Sequence, residues 1–434
     1  MRPRSPPRLP KLLNCPVPGQ HLFLACYGFL ALSFLYLAIG YRLRTNLVVV
    51  LLVALTIPSF AAAHDPRSSL FRWVGWLLLL GTAGPLFLNE VALKLRVLFW
   101  TRRLVVVCAV GSLVVNLLGI RLNGRGIFPG LMGHSMLLAP VSALAVIDLF
   151  CQQKKQASST RLALIVLCCM ACVGAGSRGA VLALAAGIAV HVAHRREGLY
   201  VAVLSVFGLA IVSYIELDRA SYSEKLGGNV FAELSAKGTT NTREQLWGFR
   251  LREFSESPLY GVGFQQQRFY RERSNREFLE PGSGYLAVLS MTGIIGAAGF
   301  LWLAVHLFQS LATHSEIPAA YRGVLRGWMV FFVVHFVVEG YVFACGSLLA
   351  MLFWLTVGCC LSLHHQTGVA RRRRQQRRRL ERRTTAHNTA QTSAQTSVPS
   401  AVQSSATKMT EQIAQPSTQQ TVRTIGPASG ERAT

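Results

Sequence analysis

Charge is scarce in this chain. Only 15% of its 434 residues are Asp, Glu, Lys or Arg, where a soluble domain carries about a quarter. Acidic residues are rarer still, 19 against 44 Lys and Arg, for a formal charge of +25. With 51% hydrophobic residues and a mean hydropathy of +0.38, the composition excludes an ordinary soluble domain. Paired C-x-x-C units are missing, which removes a zinc ribbon or finger. The ten cysteines fall in or beside apolar runs and none lies in the one long polar loop, so no disulfide framework is visible. The lone Cys169-Met-Ala-Cys172, next to Cys168, reads as small polarizable packing residues on an apolar helix rather than as a soft-metal site. No small-x-small site closes the first apolar run, so the Pro-rich basic stretch Met1–Gln20 reads as the lead into a signal-anchor, not as a cleaved peptide. The alternating polarity of a membrane barrel is absent. So is an internal repeat, which counts against transporters built from repeated halves.

What the chain has in quantity is apolar runs. They cover His21–Gly40, Asn46–Ala63, Leu70–Leu88, Leu104–Ile120, Ile127–Phe150, Arg161–Ala175, Gly179–Val192, Gly198–Leu217, Gly284–Leu311, Gly327–Val342 and Ala344–Leu363. Most have the length that crosses a hydrocarbon core of about 30 Å, where backbone groups must be satisfied within the segment. The expected fold is an all-α polytopic membrane protein of about 11–12 transmembrane helices with one large extracytoplasmic loop. Its parts are a basic Pro-rich N-terminus (1–20), N-terminal membrane helices (21–217), the loop (218–283), C-terminal membrane helices (284–363) and a tail (364–434) that is basic, then disordered.

The positive charge is distributed as topology signals rather than as a nucleic-acid surface. Arg371–Arg383 holds nine arginines and one glutamate, and further basic residues (Lys94, Arg96, Arg102, Arg103, Lys154, Lys155, Arg195, Arg196, Arg322, Arg326) read as short loops. By the positive-inside rule these lie in the cytoplasm, where the Arg run also meets anionic lipid; no nucleic-acid partner is implied. Counting helices from them puts Asp218–Ser283 outside. The same count puts the basic N-terminus outside, against the rule, unless a further helix lies before residue 120.

The loop is charge-balanced: from Glu216 it carries ten basic and ten acidic residues. It contains a helix signal, with Asn241 or Thr242 as N-cap, Glu244 and Gln245 as capping-box partners, then Leu246, Trp247, Leu251 and Phe254 at helical spacing, stopped by Pro258. Arg243 and Arg250, seven apart, share a face of that helix with Trp247 between them. Arg178 sits in Gly174-Ala-Gly-Ser-Arg-Gly-Ala180, a small-residue turn on the same outer side. Guanidinium groups converging from a loop helix and a membrane turn suit a diphosphate, because planar forks pair bidentately with its oxygens. The competing readings are a snorkelling Arg178 and a solvated helix face for Arg243 and Arg250, balanced by Glu244 and Glu253; for Arg250 the solvated face is preferred.

Four strings in order then carry a resemblance. Gly126-Ile-Phe-Pro-Gly-Leu-Met-Gly-His134-Ser-Met-Leu-Leu-Ala-Pro140 resembles the fifth-helix signature of the O-antigen ligase and polymerase superfamily, and Gly176-Ser-Arg-Gly-Ala180 its Ser-Arg-Gly motif. Thr242-Arg-Glu-Gln-Leu-Trp247 with Ser257-Pro-Leu-Tyr-Gly-Val-Gly263 resembles the outer-loop Arg…Trp…Pro…Gly-x-Gly pattern, and Gly284–Gly296 the helix that closes the loop. The resemblance implies a multi-helix, lipid-substrate glycosyltransferase of the bacterial inner membrane, with no cofactor or metal. Its partners would be an undecaprenyl-diphosphate-linked glycan donor, a glycan acceptor, membrane lipid, and chain-length-regulator and export proteins. It makes Arg178 and Arg243 the diphosphate-binding, catalytic arginines, and His134, Trp247, Arg250, Gly261, Gly263, Tyr285 and Glu339 substrate-site residues.

One departure stands out. Ligases of the family usually carry a His about three residues before the Tyr of the closing helix, and this chain has Gly282 there, with no histidine anywhere in the loop. Glu280 becomes the candidate base, against the reading of a loop carboxylate paired with Arg276. His134 and the pair His335 and Glu339, one turn apart, are secondary candidates, against a helix-positioning His134 and a pair that satisfies itself. The function read from the sequence is a polymerase that joins lipid-linked repeat units into an exopolysaccharide or O-antigen chain. The alternatives are a ligase acting on lipid A-core or protein, and a flippase for the same lipid-linked sugar.

Overall fold

A computed structural model describes residues 19–40, 44–63, 65–88, 91–118, 130–132, 134–152, 159–193, 242–264, 282–313 and 319–396. The expected span over 198–217, the candidate base Glu280, the extreme N-terminus and the tail beyond 396 lie outside these residues. So does the side chain of Arg243, although its helix is described.

The protein is an all-α polytopic membrane protein. Among the described residues the helices are α1 (Gly19–Gly40), α2 (Leu47–Thr56), α3 (Pro66–Thr82), α4 (Val91–Leu117), α5 (Ser135–Cys151), α6 (Ser159–Gly174), α7 (Arg178–Ala193), α8 (Thr242–Glu256), α9 (Gly284–Thr313), α10 (Ala319–His335) and α11 (Leu348–Thr396). Three of them, α4, α9 and α11, are long and apolar enough by themselves to cross a membrane, and shorter apolar helices accompany them. The lipid-facing character shows in exposed large side chains such as Leu32, Ile39, Leu117 and Leu301. Inside, Trp76, Phe264, Phe300, Phe343 and Trp354 form one aromatic cluster.

Glycines set the closest helix approaches, since no side chain holds the backbones apart. A Cβ on Gly187 of α7 would lie 2.9 Å from the Gly327 carbonyl of α10, and one on Gly358 of α11 2.5 Å from the Ala83 carbonyl. These crossings also give direction. Gly179 meets Val338 while His191 meets Gly323, so α7 and α10 run antiparallel. Gly284 donates to the Phe336 carbonyl and Arg326 to that of Leu311, so α9 and α10 do too. Tyr27 lies on Gly75 and Phe34 on Gly81, so α1 runs parallel to α3. Ser69, near the start of α3, accepts from Phe264 N, and Gly263 donates to Met291 of α9. The starts of α1, α3, α7 and α9 therefore share one side. Among the described residues before 120 the α-helices are α1, α2, α3 and α4, and the start of α1 stands on the side of the Arg178 turn.

The structure differs from the sequence reading at four places. Lys94, Arg96, Arg102 and Arg103 are not in a loop but within α4, because the apolar residues between them keep one continuous helix. Their charges are handled locally. Lys94 is buried and donates to Phe87 O and Ser362 Oγ, Arg102 pairs with the buried Asp148 of α5, and Arg103 lies over Phe99 and Trp100. Arg322 and Arg326 likewise belong to a helix, since α10 starts at Ala319 and stops at His335. Residues 336–347 then form turns, closed by bonds such as Val338 N to His335 O and Ala344 N to Tyr341 O. Pro140, within the apolar run, is accommodated inside α5. Finally, residues 384–396 are helical rather than disordered. Between Gly368 and Thr396 there is neither Gly nor Pro, and Arg, Gln, Leu, Glu and Ala favour helix. The residues from Ala370 onward form a unit of their own, in which the described residues are helical and Arg371–Arg383 is exposed.

Candidate functional site

The site residues are organised by the turns at 336–347 and by a break in α9. At Gly293 the helix leaves helical geometry, with φ 64° and ψ −171°. In a membrane segment the freed backbone groups need partners, and Pro258–Gly263 supplies them. Pro258 O accepts from Ile294 N at 2.9 Å and Leu259 O from Ile295 N, while Val262 N donates to Ser290 O and Gly263 N to Met291 O. Gly261 and Gly263 have φ of 74° and 83°. A Cβ on Gly261 would lie 2.4 Å from the Met291 carbonyl carbon. The Gly-x-Gly pattern is thus required here by a backbone splice into α9, whatever else it does.

The loop helix α8 has the boundaries its capping and proline signals indicate. It is fixed at three points. Leu246 is buried against Gly282. Trp247 Nε1 donates to the Gly282 carbonyl at 3.2 Å. Arg250, only 2% exposed, donates through Nη1 to Glu253 Oε2 at 2.7 Å and to Ser290 Oγ of α9 at 3.2 Å. Arg250 therefore does not lie on a solvated face; that part of the sequence reading is corrected. Burial pushes its guanidinium below the ordinary value and the Glu253 carboxyl above its own, each opposed by the partner's charge. Gly282 has φ 74°, and a Cβ there would meet Leu246 Cβ at 2.7 Å.

Arg178 is the first residue of α7 and its side chain is exposed. The next residue, Gly179, packs on Val338 and His335 at the end of α10. Phe336, between them, accepts from Gly284 N at 2.7 Å and from Ser283 Oγ at 3.2 Å, and Tyr285 OH donates to Val333 O at 2.7 Å. The Ser-Arg-Gly turn, the start of the closing helix and the α8 dock at Gly282 are thereby joined through one short stretch of chain. His335 and Glu339 lie in it: α10 ends at His335, whose Nδ1 meets Tyr341 OH at 3.0 Å, and the Glu339 backbone N–H donates to the His335 carbonyl. Both side chains are buried. His134 is the N-cap of α5, its Nδ1 accepting from Met136 N at 3.1 Å.

Asp148 escapes the sequence reading, although an acid alone in the run Val141–Leu149 is a visible signal. It is 2% exposed, pairs with Arg102 and accepts from Gln152 at 3.2 Å. Ser290, the shared partner of Arg250 and Val262, has no signal in the sequence. Among the described residues no group of three or more His, Cys, Asp or Glu is placed to hold a metal ion.

No curated protein matches the chain. A family model described as O-antigen ligase matches residues 162–301, from the start of α6 through α7 and α8 into α9. That stretch holds Arg178, Arg243, Trp247, Gly261, Gly263 and Tyr285 but not His134 or Glu339. This match, over about a third of the chain, supports the O-antigen ligase and polymerase superfamily.

Proposed function

We propose that the protein is a polymerase that joins undecaprenyl-diphosphate-linked oligosaccharide units into an exopolysaccharide or O-antigen chain at the periplasmic face of the inner membrane. In this reading the loop 218–283 faces the periplasm and the Arg-rich tail the cytoplasm. The acceptor sugar hydroxyl attacks the anomeric carbon of the donor glycan. A new glycosidic C–O bond forms, the bond from that carbon to the diphosphate breaks, and undecaprenyl diphosphate leaves with the electron pair. The hydroxyl proton passes to a base, assigned to Glu280. Arg178 and Arg243 stabilise the charge that grows on the leaving diphosphate, a role that needs donors rather than a metal ion.

The observation that carries polymerase over ligase is Gly282. The backbone conformation and the contact with Leu246 favour glycine at the position where ligases use histidine. The family's description as a ligase supports the second reading, transfer to lipid A-core or protein. Polysaccharide from a deletion strain separates the two: single capped repeats indicate a lost polymerase, and long undelivered polymer a lost ligase.

A further inference from the structure

The break in α9 lies below the membrane surface. The apolar part of α9 ends at Leu311, whose carbonyl accepts from the Arg326 guanidinium on the side away from the Arg178 turn. From Ile294, the first residue past the break, to Leu311 the helix rises about 26 Å. A hydrocarbon core is about 30 Å thick. A core whose inner edge lies at Arg326 therefore reaches above Ile294, and any tilt of α9 shortens the vertical rise and sinks the break further. Shifting the core inward instead would immerse the Arg326 charge in hydrocarbon, which is costly.

The stretch of outer loop spliced in at this level is Pro258–Gly263. Its second half, Gly261 to Gly263, is buried, but Pro258, Leu259 and Tyr260 are exposed, Leu259 at 55% and Tyr260 at 43%. Their backbone is held against Ile294 and Ile295, whose N–H groups donate to the Pro258 and Leu259 carbonyls. Ile294 is itself exposed and begins a row with Leu301, Trp302, Val305 and Phe308, all exposed and all on one face of α9 by their spacing. That row contains Leu301, one of the lipid-facing residues of the fold. The exposed apolar side chains of 258–260 therefore continue a lipid-facing surface past the break. Contiguous exposed apolar surface marks contact with something apolar.

We propose that Pro258-Leu259-Tyr260 is a re-entrant wedge of the outer loop, immersed in the acyl chains of the leaflet on the Arg178 side. The backbone suits that place, because irregular chain at membrane depth must have its polar groups bonded. Pro258 has no N–H, its carbonyl and that of Leu259 are bonded to α9, and Gly261 N donates to Ser257 O. The wedge follows the end of α8 at Glu256 by one residue, so it ties that helix to the bilayer surface. Polymerase, ligase and flippase alike would carry this contact.

The test uses the full-length protein in phosphatidylcholine nanodiscs, with bimane on single cysteines in a background without reactive native thiols. Doxyl-labelled phosphatidylcholine quenches from the acyl chains, and iodide quenches from water. Bimane at Leu259→Cys should be quenched by doxyl lipid at least half as strongly as bimane at Leu301→Cys. At Arg378→Cys, on the exposed tail helix, iodide alone should quench. Tyr260→Cys should repeat the Leu259 result, and it decides alone if Leu259→Cys fails to fold. Doxyl quenching below half the Leu301 value overturns the lipid contact. Iodide then gives the reason: quenching by it means a wedge in water, and protection from it means a wedge covered by another part of the chain.

Discussion

Gly282 and Leu246 fit together only because one of them lacks a side chain: a Cβ on Gly282 would lie 2.7 Å from Leu246 Cβ, on a backbone at φ 74°. A left-handed conformation costs a non-glycine residue about 1–2 kcal/mol before any clash. Gly282→Ala should lower polymer yield and thermal stability, and Gly282→His should lower both further without restoring a ligase. Analysis of lipid A-core for attached glycan, alongside protein level, checks this. Glycan appearing on the core in the His variant would show that the site accepts the ligase residue.

The splice into α9 makes a second prediction. At Gly261 and Gly293 a Cβ would fall within 2.4 Å and 2.3 Å of backbone atoms that have no room to retreat. Alanine at either should cost at least about 2 kcal/mol. Gly248, in the middle of α8 with nothing near its missing Cβ, is the control. There alanine should be neutral or gain up to about 1 kcal/mol in helix propensity. Melting temperatures of the three variants in detergent give the comparison, and equal losses would remove the splice as the reason for the motif.

The Arg102–Asp148 pair predicts an asymmetry. Removing Asp148 alone leaves the Arg102 cation without its partner between α4 and α5 and should cost about 3–5 kcal/mol. The double change Arg102→Met with Asp148→Leu should recover most of that, because no charge then remains buried. Accumulation and melting of the single and double variants decide it; a double variant no better than the single would mean that the pair does more than satisfy itself.

The membrane class, most helix positions and the ends of α8 were legible in the sequence because each rests on local rules: apolar length, a capping box, a proline stop. The errors came where distant partners change what a charge means. Lys94 and Arg102 look like loop residues until Ser362 and Asp148 are placed beside them. Arg250 looks solvated until Glu253 and Ser290 close over it. The glycines of the Gly-x-Gly pattern resemble a ligand turn, and only the break at Gly293 explains their backbone bonds. His335 and Glu339 have helical spacing, but the helix stops between them.

The shared side of α1, α3, α7 and α9 gives a topology prediction. Single cysteines at Gln20 and Lys237, in a background without reactive native thiols, should both react with an impermeant reagent in intact spheroplasts, and one at Arg371 should not. Labelling at Lys237 without Gln20 would mean that α1 is placed wrongly; labelling at Arg371 without Lys237 would invert the protein.

The most direct test of the central claim is the polymer made by Arg178→Lys and Arg243→Lys strains at wild-type protein level. If the two guanidiniums grip the leaving diphosphate, a single ammonium cannot replace the planar fork. Loss of one such donor lowers the rate on the order of 10²–10³, so polymer should fall below detection in both strains, as in the alanine variants. Near-normal polymer from both lysine strains would contradict the account, because it would mean that each position needs only a positive charge at the membrane surface.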